Sequence, residues 1–297
     1  MAGRAPRTVG EFFHHAVRRL SAARLHYGHG THNARDEAAY LVLHTLALPP
    51  DALRANVRRT LSAPELRRLE AIVERRVRER IPAAYLTHEA WLGDFSFYVD
   101  RRAIIPRSFI AELLRAGLRP WLARPVRRAL DLCTGSGCLA VLLAHHFPKA
   151  RIDAADLAAG ALAVARRNVA RYGLQARIRL IRSDLFAALA NERYDLIVAN
   201  PPYVTAAAMR ALPAEYRYEP RLALAGGRSG LALVDRILAD APRHLNSQGL
   251  LVCEIGHNRK ALERAYPRTA FVWPETSAGP GFVFLLGREA PPVRQAA

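Results

Sequence analysis

Cysteine, lysine and long apolar runs are scarce in this chain of 297 residues. Its three cysteines, Cys133, Cys138 and Cys253, are too few and too scattered for a disulfide framework or a zinc site. No uninterrupted apolar run approaches the roughly twenty residues that span a bilayer. The basic N-terminus lacks the apolar core of a signal peptide. We therefore expect a reduced protein of the cytoplasm that does not cross a membrane.

The positive charge of the chain is almost entirely arginine. Lys149 and Lys260 are the only lysines, although the formal net charge is +18. A GC-rich coding bias produces such a composition. Contact with a polyanion would also favour it, and the arginines at positions 75, 76, 78 and 80 suit nonspecific contact with RNA. Both explanations stay open, and no pattern indicates sequence-specific readout of nucleic acid.

Residues 1–88 are predicted to form a small helical bundle. Apolar residues recur at helical spacing over 9–25, 35–46 and 62–80. The expected N-caps are Thr8, Asn33 and Ser62, the last of which forms a capping box with Glu65. The prolines at 49 and 50 should end the second helix, and Asp51 should cap a short third one.

A second domain is predicted to follow a β-hairpin linker at 89–105. Within the linker, the pattern of 90–100 changes to a period of two, and Gly93-Asp94 suits a hairpin turn. From 106 to 290 apolar strands alternate with helical segments, which indicates an α/β domain with a mainly parallel sheet. The strands are expected at 126–133, 150–155, 178–181, 194–199, 249–255 and 281–286. Residues 291–297 are expected to be a tail.

A glycine-rich turn follows the first of these strands. Its residues are Thr134, Gly135, Ser136 and Gly137, and an apolar helix is expected from Cys138 to His146. Glycines at such a turn permit positive φ angles and let a ligand approach the backbone closely. A nucleoside cofactor is the ligand that this pattern favours. A dinucleotide-binding dehydrogenase would show a similar turn, so the glycines alone do not decide the class.

Two acidic residues continue this pattern at the ends of the next two strands. Asp156 ends the second strand, about twenty residues after the turn, where a carboxylate binds the ribose hydroxyls of a nucleoside. Asp184 follows the third strand and, with Leu185, is placed to contact an adenine edge.

A rigid loop follows the apolar strand 194–199. It consists of Asn200, Pro201, Pro202 and Tyr203. The two prolines cannot continue a strand, so the chain turns at Asn200 at the carboxyl end of the sheet, where open α/β sheets bind ligands. The Asn200 side-chain oxygen and the Pro201 carbonyl can both accept hydrogen bonds from a planar NH2 group. Pro202 and Tyr203 would shape the slot around it.

Together these motifs resemble S-adenosylmethionine-dependent methyltransferases that act on planar amino nitrogens. The residues that carry the resemblance are Asp131, Leu132, Cys133, the glycine turn, Asp156, Asp184 and the Asn200–Tyr203 loop. The segment 105–108 with Glu112, the helical N-terminal third and the lack of a target-recognition domain resemble the protein-glutamine N5-methyltransferases. Segment 27–41 is most similar to the branch that modifies ribosomal protein uL3, rather than to the release-factor branch.

The resemblance implies a Rossmann-like class I methyltransferase sheet whose last strand is antiparallel. It implies S-adenosylmethionine as the cofactor, S-adenosylhomocysteine as the product, no metal, and a glutamine of uL3 as the target, free or on a large-subunit assembly intermediate. Arg107 and Glu112 would bound the entrance for cofactor or substrate, and the helical domain would recognise the protein substrate. Cys133 replaces a glycine of many relatives and would be a small packing residue in the cofactor loop.

Several other interpretations remain open at this stage. The same reaction on peptide-chain release factors, an adenine-N6 methyltransferase, a non-catalytic ribosome-assembly factor and a dehydrogenase are the functional alternatives. For single residues, Asp131 and Asp156 suit turns, Asp184 suits a helix cap, and Arg107 with Glu112 suits an exposed ion pair. The histidines at 26, 29 and 32 are spaced three apart, but no carboxylate or cysteine completes a metal site.

Overall fold

The computed structural model describes residues 6–290 and 292–294. Its chain divides into two units. The first combines Met1–Ala90 with the short segment Pro213–Tyr218, and the second combines Trp91–Leu212 with Glu219–Ala297. Most of the predicted tail at 291–297 and the first five residues lie outside the described part of the chain. The predicted domain boundaries at 88, 105 and 290 stay predictions.

The first unit is helical, as predicted. Its helices are α1 (Val9–Ala22), α2 (Ala34–Thr45), α3 (Leu53–Asn56), α4 (Ala63–Glu79) and α5 (Ala83–Thr87). The three predicted N-caps are confirmed, because the side chains of Thr8, Asn33 and Ser62 each accept a backbone N–H of the first turn. The apolar faces of the helices meet in one core, around Phe12, Leu41 and Leu69.

Three predicted helix boundaries in this unit were wrong. Helix α1 ends at Ala22 instead of residue 25, because Arg24 adopts a left-handed φ of 47°. Helix α2 ends at Thr45, before the proline pair, and Ala47 is left-handed with a φ of 52°. A residue at positive φ cannot continue a right-handed helix. Asp51 does not cap α3, whose N-cap residue is Ala52 and has no side-chain hydrogen bond.

The segment Pro213–Tyr218 is held in the first unit by a buried charge network. The Glu215 carboxylate is fully buried and accepts a hydrogen bond from the His26 N–H at 3.0 Å. It also forms ion pairs with Arg80 at 2.8 Å and with Arg76 at 3.7 Å. Arg76, itself 1% exposed, also pairs with Glu37 at 2.6 Å. The sequence did not predict that this segment leaves the second unit.

The second unit contains the predicted hairpin and α/β sheet. Its elements are β1 (Glu89–Leu92), β2 (Phe95–Tyr98), α6 (Ile110–Arg115), β3 (Arg128–Leu132), α7 (Cys138–His146), β4 (Arg151–Asp156), α8 (Ala159–Arg171), β5 (Ile178–Arg182), β6 (Tyr194–Ala199), α9 (Ala206–Ala211), α10 (Ala232–His244), β7 (Leu245–Glu254), α11 (Arg259–Ala265) and β8 (Val283–Gly287). The division between the units falls inside β1. Within the described residues, no helix is long and apolar enough to cross a bilayer.

The order of strands in the main sheet is β5-β4-β3-β6-β7-β8. Every neighbouring pair is parallel except β7 and β8, so the predicted antiparallel last strand is confirmed. After β3, the chain adds β4 and then β5 on one side of β3. It then returns and adds β6, β7 and β8 on the other side. The carboxyl ends of β3 and β6 therefore flank the topological switch point, where sheets of this class bind ligands.

Helices cover both faces of this sheet, and the side chains of β6 show how. Leu196 and Val198 pack into the apolar cluster that contains α7, whereas Ile197 belongs to the cluster on the opposite face with Val234 and Leu238 of α10. Successive strand side chains point to opposite faces, so a strand buried on both sides is a continuous apolar run. Because β3 and β6 are neighbouring strands in this core, the loops that follow them begin side by side.

Candidate active site

A cavity in the second unit lies at the carboxyl ends of the parallel strands. Among the residues that line it are seven of the predicted site residues: Cys133, Gly135, Asp156, Asp184, Leu185, Asn200 and Pro202. They come from the loops after β3, β5 and β6 and from the last residue of β4. The structure thus brings the glycine turn, the two acidic residues and the proline loop to one place.

The backbone of the glycine turn adopts the left-handed conformation at three positions. The φ angles are 59° at Cys133, 56° at Gly135 and 79° at Gly137. A side chain at Gly137 would place its Cβ 3.0 Å from the Cβ of Ala165 in α8, so glycine is required for packing there. Glycine adopts positive φ freely, so the glycine that the family resemblance implies at the position of Cys133 would suit this backbone conformation. Burial raises the pKa of the Cys133 thiol, which keeps it protonated and unreactive.

Asp156 connects the glycine turn to the start of α8. Its Oδ2 accepts the Gly135 N–H at 2.8 Å, and its Oδ1 accepts the Ala158 N–H at 2.8 Å. Burial raises the pKa of this carboxyl group, and the backbone donors oppose the rise. Asp156 lines the cavity, and a carboxylate has more acceptor sites than these backbone donors use, so the group can accept hydroxyl donors of a ligand.

Asp131 and several turn residues lie below the cavity and do not line it. The Asp131 side chain is fully buried and accepts a hydrogen bond from the Thr134 hydroxyl. Burial raises its pKa to about 7, although the Thr134 hydrogen bond opposes the rise. Thr134 and Ser136 are also buried. These residues support the turn from beneath, and their predicted direct contact with a cofactor stays a prediction.

The loop after β5 forms the opposite wall of the cavity. The Ser183 hydroxyl accepts the Ala188 N–H at 3.0 Å and donates to the Leu185 carbonyl at 2.7 Å. The alternative that Asp184 caps a helix was wrong, because residues 184–190 form turns without a helix. The Asp184 carboxylate instead accepts a hydrogen bond from Arg236 of α10 at 2.9 Å, and both side chains are half-exposed.

Asn200 begins the loop after β6, as predicted, and its side chain has a fixed orientation. Its Nδ2 donates to the carbonyl oxygen of Arg107 at 3.2 Å. Because the amide is planar, this bond leaves Oδ1 on the other edge as an acceptor. Pro201 and Pro202 are buried, and only the second of them lines the cavity. The Tyr203 hydroxyl donates to Glu254 at 3.1 Å, behind the loop.

Arg107 and Glu112 have partners that the sequence did not indicate. The Arg107 guanidinium donates to both oxygens of Glu219, at 2.5 and 2.7 Å, and Glu219 also accepts the Ile105 N–H at 3.1 Å. Glu112 accepts the Ser277 N–H at 2.8 Å and the Ser277 hydroxyl. Neither residue lines the cavity, so their predicted contacts with substrate or cofactor stay predictions. The Arg107 backbone reaches the site through its bond to Asn200.

Sequence reasoning missed Glu219, Arg236 and Glu254. Glu254 ends the apolar run of β7, and a charged residue at the carboxyl end of a buried parallel strand is a signal that could have found it. Glu219 and Arg236 carry no comparable local signal. The histidine cluster lies in the first unit, where the ring of the buried His29 contacts that of Tyr216 at 4.5 Å between centroids. Tyr216 belongs to the segment Pro213–Tyr218, which the Glu215 network holds in the first unit.

Two family models match the chain. The description "PrmC N-terminal domain" matches residues 11–87, and "Methyltransferase small domain" matches residues 113–214. Among solved structures, the hMettl16 catalytic domain aligns with a TM-score of 0.51 at 17% identity over 77% of this chain and 84% of that chain. At this identity the likeness concerns the fold alone, which is that of class I methyltransferases.

Relatives of nearly the same length are much more similar. A protein of Neisseria meningitidis serogroup B is 56% identical over 95% of this chain and 93% of its own length. A protein of Bordetella pertussis is 55% identical over 95% of both chains. Each is named ribosomal protein uL3 glutamine methyltransferase. Identity of this extent over the helical and the α/β parts shows common descent, so the chain belongs to the family of ribosomal protein uL3 glutamine methyltransferases.

Proposed function

We propose that this protein transfers a methyl group from S-adenosylmethionine to the side-chain amide nitrogen, N5, of a glutamine in ribosomal protein uL3. The observation that carries the proposal is the shared cavity at the switch point, which the glycine turn and Asn200 both line. A nucleoside cofactor and a carboxamide can meet there. The curated relatives support uL3 as the protein substrate, because they bear that name at 55–56% identity.

The residues present fit S-adenosylmethionine. Asp156 would accept the ribose hydroxyls, since it lines the cavity and its carboxylate oxygens can accept further hydrogen bonds. Asp184 and Leu185 would contact the adenine, with further apolar wall from Leu222 and Leu233. The left-handed backbone at Cys133 and Gly135 would let the remainder of the cofactor approach the turn closely.

Asn200 and Pro201 would hold the glutamine amide. The Asn200 Oδ1 and the Pro201 carbonyl would each accept one N–H of the planar NH2 group. Two acceptors favour a more tetrahedral nitrogen, whose lone pair is less delocalised into the carbonyl, so this arrangement stabilises the transition state more than the ground state. Fixing the nitrogen in line with the methyl carbon supplies much of the remaining rate. Pro202 and Tyr203 would set the width of the slot.

The chemistry needs no metal and no covalent intermediate on the protein. Bound S-adenosylmethionine supplies a methyl carbon on a positively charged sulfur, which keeps the electron pair of the broken carbon–sulfur bond as neutral S-adenosylhomocysteine. The amide nitrogen would form the new bond to carbon and give up one proton, which ends in the bulk solvent. The residues of this chain therefore act by binding, orienting and excluding solvent.

The finer features of the assignment belong to the same proposal. We infer that the protein acts in the cytoplasm, that the first unit recognises uL3, and that uL3 is modified free or on a large-subunit assembly intermediate. The net charge of +18 supports nonspecific contact with ribosomal RNA during that encounter. A salt dependence of the rate on ribosomal particles, absent with free uL3, would support the contact with RNA.

The test is methyl transfer with purified components. The protein is incubated with S-adenosylmethionine labelled in its methyl group and, in separate reactions, with unmethylated uL3 and unmethylated peptide-chain release factor; mass spectrometry then maps the label. We expect label on one glutamine of uL3. Label on the release factor alone would show that the release factor, and not uL3, is the substrate. Label on adenine of added RNA or DNA would refute glutamine methylation. Binding to ribosomal precursors without any transfer would favour an assembly factor.

Asn200→Ala is the decisive variant for the mechanism. Removing one hydrogen-bonding group that acts on the transition state typically costs about 10²–10³-fold in kcat, while S-adenosylmethionine should still bind. Asn246→Ala is the matched control, since that side chain also donates to a neighbouring oxygen, on Asp195 at 2.8 Å, but at the other end of β6. Full activity of Asn200→Ala, or an equal loss in the control, would contradict the mechanism.

A further inference from the structure

Glu254, the last residue of β7, has a carboxylate that the proposed chemistry leaves unused. Its side chain is 2% exposed. Oε2 accepts the Ser108 hydroxyl at 2.6 Å and the Phe109 N–H at 2.9 Å, and Oε1 accepts the Tyr203 hydroxyl at 3.1 Å. Burying a carboxylate is costly unless donors surround it. Three donors from two different loops therefore converge on this group.

The sheet fixes the position of Glu254. In the parallel register of β6 and β7, Cys253 lies beside Ala199, so Glu254 is level with Asn200 at the carboxyl end of the sheet. On its other side, Glu254 pairs with Val283 of β8. A side chain on a strand with neighbours on both sides is a more accurate support than one on a loop.

Residues that follow Glu254 hold the rest of Tyr203. A Cβ on Gly256 would lie 2.7 Å from Cε2 of the Tyr203 ring, so the ring packs directly on the glycine backbone. Asn258 donates from Nδ2 to the Tyr203 carbonyl at 2.8 Å. The bond to Glu254 adds a contact at the hydroxyl end. Together these contacts fix the backbone, the plane and the tip of the ring.

The other oxygen of Glu254 acts on the segment that orients Asn200. Ser108 and Phe109 follow directly after Arg107, whose carbonyl oxygen accepts a hydrogen bond from the Asn200 side-chain amide. Displacing these two residues would move that carbonyl. One carboxylate therefore links the Tyr203 side chain to the segment whose carbonyl orients Asn200.

We propose that Glu254 is a positioning residue for methyl transfer: it holds Tyr203 through one oxygen and residues 108–109 through the other, and so keeps the Asn200 amide and the Tyr203 ring at the spacing that a planar carboxamide requires. This inference rests on the proposed function. Burial raises the pKa of Glu254, and the hydrogen bonds from Ser108, Tyr203 and Phe109 oppose that rise.

The first test is Glu254→Gln. The amide keeps the shape of the side chain but has one acceptor oxygen, so either residues 108–109 or the Tyr203 hydroxyl must face an NH2 group, which can only donate, and that side loses its charged acceptor. We expect kcat to fall about tenfold or more, because misplacing a positioned group by about 1 Å costs up to 10²-fold. The KM for uL3 and the Kd for S-adenosylmethionine should change by less than about twofold, since binding contacts remain. Glu254→Asp, which retains both acceptors, should recover part of kcat.

Asp153→Asn is the matched control for a loss of stability alone. Asp153 is also buried and accepts a tyrosine hydroxyl, from Tyr194 at 2.8 Å, but it lies toward the amino end of β4. At a temperature where both variants are folded, this control should leave kcat within about twofold of wild type. A wild-type kcat in Glu254→Gln, or equal losses in the two variants, would overturn the proposal.

Coupling to Tyr203 is tested by a double-mutant cycle. Tyr203→Phe should lower kcat in the wild-type background and have much less effect in Glu254→Gln, because the bond that it removes is already disturbed. Fully additive losses would overturn the proposal.

A readout independent of turnover is the NMR signal of the Tyr203 ring in protein with 13C-labelled tyrosine, assigned with Tyr203→Phe. It should shift in Glu254→Gln and stay in place in Asp153→Asn, and an unchanged signal in Glu254→Gln would overturn the proposal. If wild-type protein transferred no methyl group, the proposed function would fail, while this signal would still decide whether Glu254 holds the Tyr203 ring.

Discussion

Replacing Glu219 by alanine should destabilise the second unit, because the substitution removes the buried hydrogen bonds that Glu219 accepts from Arg107 and Ile105. The Glu219 side chain is 5% exposed and accepts three hydrogen bonds, two from the Arg107 guanidinium and one from the Ile105 N–H. Without it, the guanidinium and a buried N–H lose a charged acceptor. The resulting shift of the Arg107 carbonyl would also release the Asn200 amide, so kcat should fall together with stability.

The magnitude follows from the exposure of the two partners. Breaking a fully buried ion pair costs about 3–5 kcal/mol, because one charge is left without compensation. The Arg107 side chain is 30% exposed, so water can solvate part of the guanidinium after the substitution. We therefore expect the free energy of unfolding to fall by about 2–3 kcal/mol.

Urea titration followed by tryptophan fluorescence measures this change selectively. The three tryptophans, Trp91, Trp121 and Trp273, all lie in the second unit. Glu263→Ala is the control, since the pair Arg259–Glu263 has a similar distance, 2.9 Å, but is 39% and 44% exposed. Such a helical surface pair contributes about 0.3–0.5 kcal/mol. A loss in Glu219→Ala no larger than in this control would refute the reasoning.

Two further predictions concern the glycine turn and Asp131 of β3, which accepts a hydrogen bond from Thr134 of the turn. Gly137→Ala should lower the free energy of unfolding by about 2 kcal/mol, because φ is 79° and the new Cβ would meet Ala165 at 3.0 Å. Gly173→Ala, at a φ of 66° with open space around it, should cost only about 1 kcal/mol of backbone strain in the same urea titration. The folded-state pKa of Asp131, about 7, lies above its ordinary value of 3.8, so stability that this carboxyl contributes is present below pH 4 and lost as pH rises to about 7. Asp131→Asn should therefore gain stability relative to wild type between pH 4 and pH 7, and a difference that stays constant over that range would contradict the assigned pKa.

Much of the second unit could be predicted because its signals are local. Strand β6 spans Tyr194–Ala199, as the apolar run before the two prolines indicated, and α7 spans Cys138–His146, as the run after the glycines indicated. Proline and glycine restrict or extend the dihedral angles of their own residues, so their effect does not depend on the rest of the fold. The alternation of strands and helices then favours a parallel sheet.

Predictions failed where a boundary depended on the left-handed conformation of an ordinary residue. Arg24 and Ala47 end their helices at positive φ, and neither residue type favours that conformation by itself. Leu25 remains buried although it lies beyond α1, so its apolar character indicated burial correctly and helical conformation wrongly.

The sequence by itself determined which residues end strands at the cavity, because that follows from apolar runs and from the turn chemistry of glycine and proline. Only the tertiary structure decided the partners of the buried charges. Arg107 meets Glu219 across 112 positions of the chain, and Tyr203 meets Glu254 across 51. A local pattern specifies burial and dihedral angles, whereas the acceptor that a buried donor finds depends on which distant segments the fold brings beside it.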